Sequence, residues 1–455
     1  KYLLEANVRY DGSSKFPKGS RYGLFPSFSA GWIVSEEPFM KNVQDIISFM
    51  KIRGSWGEIG NQDVANYAYI PSMQTYSSNW IDAGTNLRFL TISSPALVSS
   101  SLTWETIRSK NIGIDLSFFD GRLSTTFDYF HRLTLNMLGP GEELPATIGA
   151  AAPQKNVADL VSKGWELNLN WRKTINPDFR YSLGIKLWDD KAFITKYDNE
   201  GGLLSQYYED YEFGEIWGYE TYGYYTVDDF VSGTLNDDLM NGTLKEDIPA
   251  YYTTAKPNPG DIRYVDIDGD EKIDPGTSAL SDPGDRRIIG NSHRRYQFGI
   301  TGNVNYKNFD LSFLVQGVAK RDVWKSDYST WPYYDIYDPF NKHELDFWTS
   351  ENTNAYYPRL YQNAGGNTVN SRLVQTKYLL NGAYLRVKNI EIGYTVPEHI
   401  VQKLSIDHLR MFLSCEDIAK FDHLPKGVDT ELVNLGNGLS YPIISKISFG
   451  INLTF

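Results

Sequence analysis

The chain alternates apolar and polar residues with period two over long stretches, the pattern of strands with one apolar and one polar face. In Lys163–Arg172, Trp165, Leu167, Leu169 and Trp171 fall on one face; Glu166, Asn168, Asn170 and Arg172 fall on the other. From Asn111, the residues Ile112, Ile114, Leu116 and Phe118 oppose Asn111, Gly113, Asp115 and Ser117. In 297–306, Phe298, Ile300, Val304 and Tyr306 oppose Gln297, Thr301, Asn303 and Asn305. The last stretch sets Ile447, Phe449, Ile451, Leu453 and Phe455 against Ser448, Gly450, Asn452 and Thr454. These runs reach about 10 residues, longer than the usual strand and matched to the roughly 9–11 that cross a bilayer.

About twelve such strands are expected, joined by connections that alternate long and short. Residues 11–21, 58–101, 135–154, 193–293, 320–376 and 417–440 are the long links. Residues 36–44, Asp120-Gly121, Asn176-Pro177, Lys307-Asn308 and the region of Pro397 are the short ones. An extra strand pair is expected near Trp217–Tyr225. Transmembrane barrels keep short turns on the periplasmic side and long loops outside. The expected fold is therefore all-β, a transmembrane antiparallel β-barrel with long extracellular loops and with Lys1 and Phe455 on the periplasmic side. A soluble antiparallel sheet with one wet face is the competing fold.

Composition agrees with this. The 455 residues are 15% aromatic, with 32 Tyr and 11 Trp, residues suited to the rim of a membrane or to a carbohydrate surface. A formal charge of −12 argues against general nucleic-acid binding. The single cysteine, Cys415, forms no internal disulfide. No apolar run approaches the length of a transmembrane helix.

Candidate chemistry is sparse. Asp266, Asp268, Asp270 and Asp274 take positions 1, 3, 5 and 9 of an EF-hand-like calcium loop, and Lys272 would offer its backbone carbonyl at position 7. Glu271 stands where that motif has Gly, and Thr277 where it has a closing Glu; Asp282 or Asp285 could close the site instead. An acidic, solvated turn is the plain alternative. No catalytic residue is expected: the histidines (His131, His293, His343, His399, His408, His423) lack metal-ligand spacing, and neither a nucleophile elbow nor a phosphate loop occurs. Asp115 and Glu166 show no partner that would make a carboxylate pair for glycoside hydrolysis. Trp331, Tyr333 and Tyr334, with Tyr207 and Tyr208, are weak candidates for contact with sugar rings, set against loop packing.

A set of short runs, in order and spanning nearly the whole chain, resembles the SusC/RagA-type TonB-linked outer-membrane transporters. They are Arg9–Ser14, Phe25–Trp32, Gly57–Gln62, Leu102–Glu105, Pro259–Tyr264, Asp266–Asp274, Ile289–Asn291, Phe347–Thr349, Tyr357–Arg359 and Tyr384–Asn389. The resemblance implies that 1–455 is the C-terminal part of a barrel of about 22 strands, roughly 12–14 of which lie here, with an N-terminal plug and early strands that have no counterpart in the chain. It implies a SusD-like surface lipoprotein as partner, energy from TonB–ExbB–ExbD, and an oligosaccharide or, in some members, a peptide as cargo. A passive porin and a soluble carbohydrate-binding β-protein remain the rival classes. The last strand, ending at Phe455, is expected to close the barrel against a first strand outside the chain.

Overall fold

The computed structural model describes residues 1–455 except 142–144, 151, 252, 254, 328–329, 333–340, 362–364 and 434–440. Twelve long strands form one sheet in simple sequence order. They are β1 (Tyr2–Gly12), β2 (Tyr22–Ile33), β3 (Ile47–Asn61), β4 (Glu105–Phe118), β5 (Leu123–Pro140) and β6 (Gln154–Asn176). β7 (Phe179–Lys196), β8 (Arg295–Tyr306), β9 (Phe309–Lys320), β10 (Tyr384–Thr395), β11 (His408–Asp422) and β12 (Lys446–Thr454) complete it. β1 and β12 are the two edges of this order. The long and short connections alternate as expected. At 23 residues, β6 is about twice the length a bilayer requires, so it runs on past the membrane.

Register explains the alternation in physical terms. In one compact unit (Lys1–Trp171, Trp188–Glu200 and Gln206–Glu212) Trp32, Ile52, Ile114, Phe127 and Leu167 lie side by side across five strands. The adjoining row is Gly31, Arg53, Gly113, Asp128 and Glu166. The second unit (Arg172–Leu187, Gly201–Ser205 and Phe213–Phe455) repeats this, with the row Ile300, Val315, Val387 and Ala419 beside Gly299, Gln316, Arg386 and Lys420. The apolar face is open: Ile112, Ile392, Phe449 and Ile451 are more than half exposed. Water would not tolerate so broad an apolar face, whereas lipid requires it. Near the short turns Phe179 meets Tyr306 and Phe309 meets Tyr394, with ring centres 5.9 and 4.8 Å apart, as in an interfacial girdle. No helix among the described residues is long and apolar enough to cross a membrane.

The buried core clusters gather about the long connections and the strand ends that adjoin them. In the first unit Phe16, Phe25, Val64, Leu102 and Trp104 form a small core. The Phe25 ring lies over Gly60, where a Cβ would come within 2.1 Å of it. Asn61 donates to Glu105 at 2.6 Å, and Glu105 accepts from the Leu138 amide at 2.8 Å. Three of the short runs that carry the family resemblance, Phe25–Trp32, Gly57–Gln62 and Leu102–Glu105, thus interlock. The strands near Trp217–Tyr225 exist, but they do not pair with each other. Glu215–Tyr219 pairs with Arg286–Asn291, and Thr221–Tyr224 pairs with Ile262–Tyr264.

Candidate functional site

The long connections between β7 and β8 and between β9 and β10 fold onto an aromatic cluster of Tyr219, Tyr225, Phe230, Tyr251, Ile262, Tyr264, Ile273, Trp331, Tyr357 and Tyr378. Tyrosine serves here where phenylalanine would not, because loops leave carbonyls without sheet partners. Tyr225 donates to the Pro249 carbonyl at 2.7 Å, Tyr264 to Asn370 at 2.6 Å, Tyr357 to Thr330 at 3.0 Å and Tyr378 to Tyr356 at 2.7 Å. Tyr251 donates to the Ile262 carbonyl. Burial pushes these phenols above their ordinary value; that of the neighbouring Tyr224 reaches about 12.

Asp261 is the hub. It is fully buried, and its carboxylate accepts from the Asn258 amide (2.9 Å), the Tyr361 hydroxyl (2.8 Å) and Asn367 (2.7 Å). Burial raises its carboxyl to about 6 against the pull of these donors and of the Arg359 charge. Gly260, beside it, has φ +93 and leaves no room for a Cβ, which would lie 2.4 Å from the Trp348 ring. Arg359 donates to the Leu239 carbonyl at 2.9 Å, and Arg263 pairs with Asp229 at 3.0 Å. The runs Pro259–Tyr264, Phe347–Thr349 and Tyr357–Arg359 therefore meet in one place and tie the two connections together.

Trp331 sits inside this cluster, 3% exposed and 4.6 Å from Tyr378 between ring centres, which makes its ring a packing element. Tyr333 and Tyr334 lie outside the described residues. Tyr208 is buried, while Tyr207 keeps 41% exposure. Other loop aromatics that sequence did not single out are more open: Trp80 and Tyr222 are 79% and 69% exposed.

The acidic loop closes differently from the EF-hand expectation. Carboxylate oxygens of Asp266, Asp268 and Asp285 lie within 4.8 Å of one another, so two of the expected residues gather and the third comes from beyond the motif. Asp270 instead accepts from the Lys272 amide at 2.9 Å, and Asp274 accepts from the Gly276 amide at 2.6 Å. Lys272 lies in a two-residue strand paired with Ala250–Tyr251. Asp285, 1% exposed, accepts from the amides of Ile267 and Asp274, which draws it into the loop. Burial raises its carboxyl, and the Asp268 and Asp266 charges add to that. Glu271 has φ +67, the left-handed conformation for which the motif normally uses Gly.

On the polar face of the sheet several carboxylates have cationic partners. Arg53 bonds Asp115 at 3.1 Å and Asp128 at 2.6 Å; Arg410 bonds Asp310 and, at 2.7 Å, Glu391. Asp115, which showed no partner in the sequence, is thus half of an ion pair on a wet wall.

A polar inner face, an apolar outer face, alternating connections and a tied loop assembly define an outer-membrane barrel wall. The family model described as "TonB dependent receptor-like, beta-barrel" matches residues 1–407, and the chain belongs to that family. Its place is the outer membrane. Among relatives, TonB-dependent receptor P3 of Formosa agariphila is 27% identical over the whole chain, and SusC of Bacteroides thetaiotaomicron is 25% identical. The chain spans 44% and 42% of these proteins, less than half their length. The structure titled "RagAB peptide transporter" has the same fold, with a TM-score of 0.74 at 19% identity over all of this chain and 46% of that one. Within the family the chain is of the SusC/RagA type.

Proposed function

We propose that this chain forms wall and mouth of an active importer that carries an oligosaccharide across the outer membrane. Family membership, joined to a polar face lined by ion pairs and small residues, supports transport through the interior. The exposed loop aromatics Trp80, Tyr222 and Tyr207 support a sugar cargo, since such rings stack on pyranose faces. In this reading a SusD-like surface lipoprotein covers the long-loop end. TonB–ExbB–ExbD then opens a path by pulling on the plug that the family places ahead of the barrel. The chain's own part is to hold loops and lumen in shape: the aromatic cluster fixes the mouth, and the acidic loop takes a structural cation, calcium by its oxygen ligands, rather than a catalytic one. The experiment is deletion of the TonB-contacting segment in the whole protein. Uptake should stop while the barrel still assembles, and unchanged uptake would refute active import. A second reading, peptide cargo, rests on the fold shared with the RagAB peptide transporter. Competition between labelled oligosaccharides and peptides for the purified transporter separates the two.

A further inference from the structure

Near the long-loop end of β9, β10 and β11 the polar face gathers positive charge. Gln316, Arg386 and Lys420 are register partners on adjacent strands, with Lys388 further along β10 and Arg321 just past β9. These four cations meet two carboxylates from the sheet. Asp417 lies 2.9 Å from Lys388 and 3.7 Å from Arg386, and Asp422 lies 2.9 Å from Lys420. Among the described residues the sheet leaves two of these positive charges unmatched, and Arg294 adds its field to that of Arg321.

A segment of the connection between β11 and β12 covers them. Asp429 bonds the Arg386 guanidinium, and Glu431 lies 3.2 Å from Lys388 and accepts from Gln316 at 3.4 Å. Arg321 donates to the Thr430 carbonyl at 3.0 Å, and Lys420 donates to the Val428 carbonyl at 2.9 Å. Polar contacts to basic side chains thus hold Val428–Glu431 down on the wall. The fit is incomplete. The Arg386 side chain is 3% exposed, yet among the described residues its Nε has no hydrogen-bond partner, although Glu431 is only 3.4 Å away. The Thr430 hydroxyl, fully buried, also has no partner among the described residues. A guanidinium offers Nε and Nη in one plane to both oxygens of a single carboxylate, a geometry that two separate side chains do not reproduce.

We infer that this basic patch is a binding site for a carboxylate on the cargo, a uronic acid unit of an oligosaccharide, with Asp429 and Glu431 seated in it as internal stand-ins. Cargo and segment compete for Arg386, Lys388 and Gln316, so an acidic sugar displaces the segment from the wall and a neutral one does not. This deepens the importer reading and rests on it.

The test uses the full-length transporter in detergent and calorimetric titration with three probes: tetragalacturonate, neutral galactotetraose and a tetraglutamate peptide. Tetragalacturonate should bind more tightly than galactotetraose, with an advantage that shrinks as salt rises. The double variant D429N/E431Q, on a surface segment, should tighten tetragalacturonate by about tenfold, the worth of one charge-assisted contact, and leave galactotetraose unchanged. R386Q should erase the preference for the acidic sugar. Should R386Q fail to fold, K388Q carries the same expectation. Equal affinity for the acidic and neutral sugars overturns the inference and leaves the importer reading standing. Failure of D429N/E431Q to tighten tetragalacturonate also overturns it. Binding of tetraglutamate with neither sugar bound overturns both the inference and the oligosaccharide cargo.

Discussion

Replacing Asp261 by Asn should abolish a pH dependence in the stability of the loop assembly. Asp261 is fully buried, and its carboxyl is raised to about 6 from an ordinary 3.8, first by burial. A group whose folded value exceeds its unfolded one binds its proton more tightly in the folded state. Its stabilising contribution is therefore complete below about pH 4 and is lost as pH rises through about 6. Two units correspond to about 3 kcal/mol. The nearby phenols Tyr225, Tyr251, Tyr264 and Tyr361 are all raised and stay neutral throughout this window. Asn keeps the volume. Its carbonyl can accept from the Asn258 amide and Asn367, while the Tyr361 hydroxyl turns to accept from the new NH2. Hydrogen exchange at the Gly260 and Tyr225 amides, which bond across the hub, reports local opening. In the parent protein the opening free energy, corrected for intrinsic exchange, should fall by about 3 kcal/mol between pH 4 and pH 7. In D261N it should be flat. A flat profile in the parent, or the same slope in both, would refute the assignment of the raised carboxyl to this residue.

Other expectations follow from single contacts. G60A should lower resistance to heat-unfolding in detergent by about 1–3 kcal/mol, because the new methyl meets the Phe25 ring; G299A, with open space at that position, is the control and should be near neutral. Leu167 faces outward and Asn168 inward, so L167R should cost about 2–4 kcal/mol in a lipid bilayer while N168R is tolerated, and equal losses in vesicle-refolding assays would sink the assignment of faces. Calcium added to chelator-treated protein should slow exchange of the Ile267 and Asp274 amides, and D285N should remove that response; no change at millimolar calcium defeats the cation reading.

The strands were legible because period two is a local property. Whether Trp165 and Leu167 share a face depends only on their spacing, and register then aligns Leu167 with Phe127 and Ile114. The loop assembly was not legible, because its contacts are remote in sequence. Tyr361 reaches back to Asp261 and Tyr264 reaches forward to Asn370, each across about a hundred residues, and no pattern near either end announces the other. Trp217–Tyr225 shows the boundary between the two cases. Its strand character was readable, whereas its partners, Arg286–Asn291 and Ile262–Tyr264, depend on how the intervening chain folds.

The acidic loop divides the same way. Asp266 and Asp268 follow from motif spacing, but between Asp282 and Asp285 it is Asp285, held in a buried position by the Ile267 and Asp274 amides, that gathers with them. The basic patch under Asp429 and Glu431 lies further still from anything local. Gln316, Arg386 and Lys420 are neighbours only through the register of β9, β10 and β11. A lumen site built in this way draws its charge from several strands and its cover from one loop. Substitutions in 428–431 can therefore retune which cargo is accepted while the alternation that folds the wall stays untouched, which is a physical reason for cargo to be the property that sequence pattern reveals least.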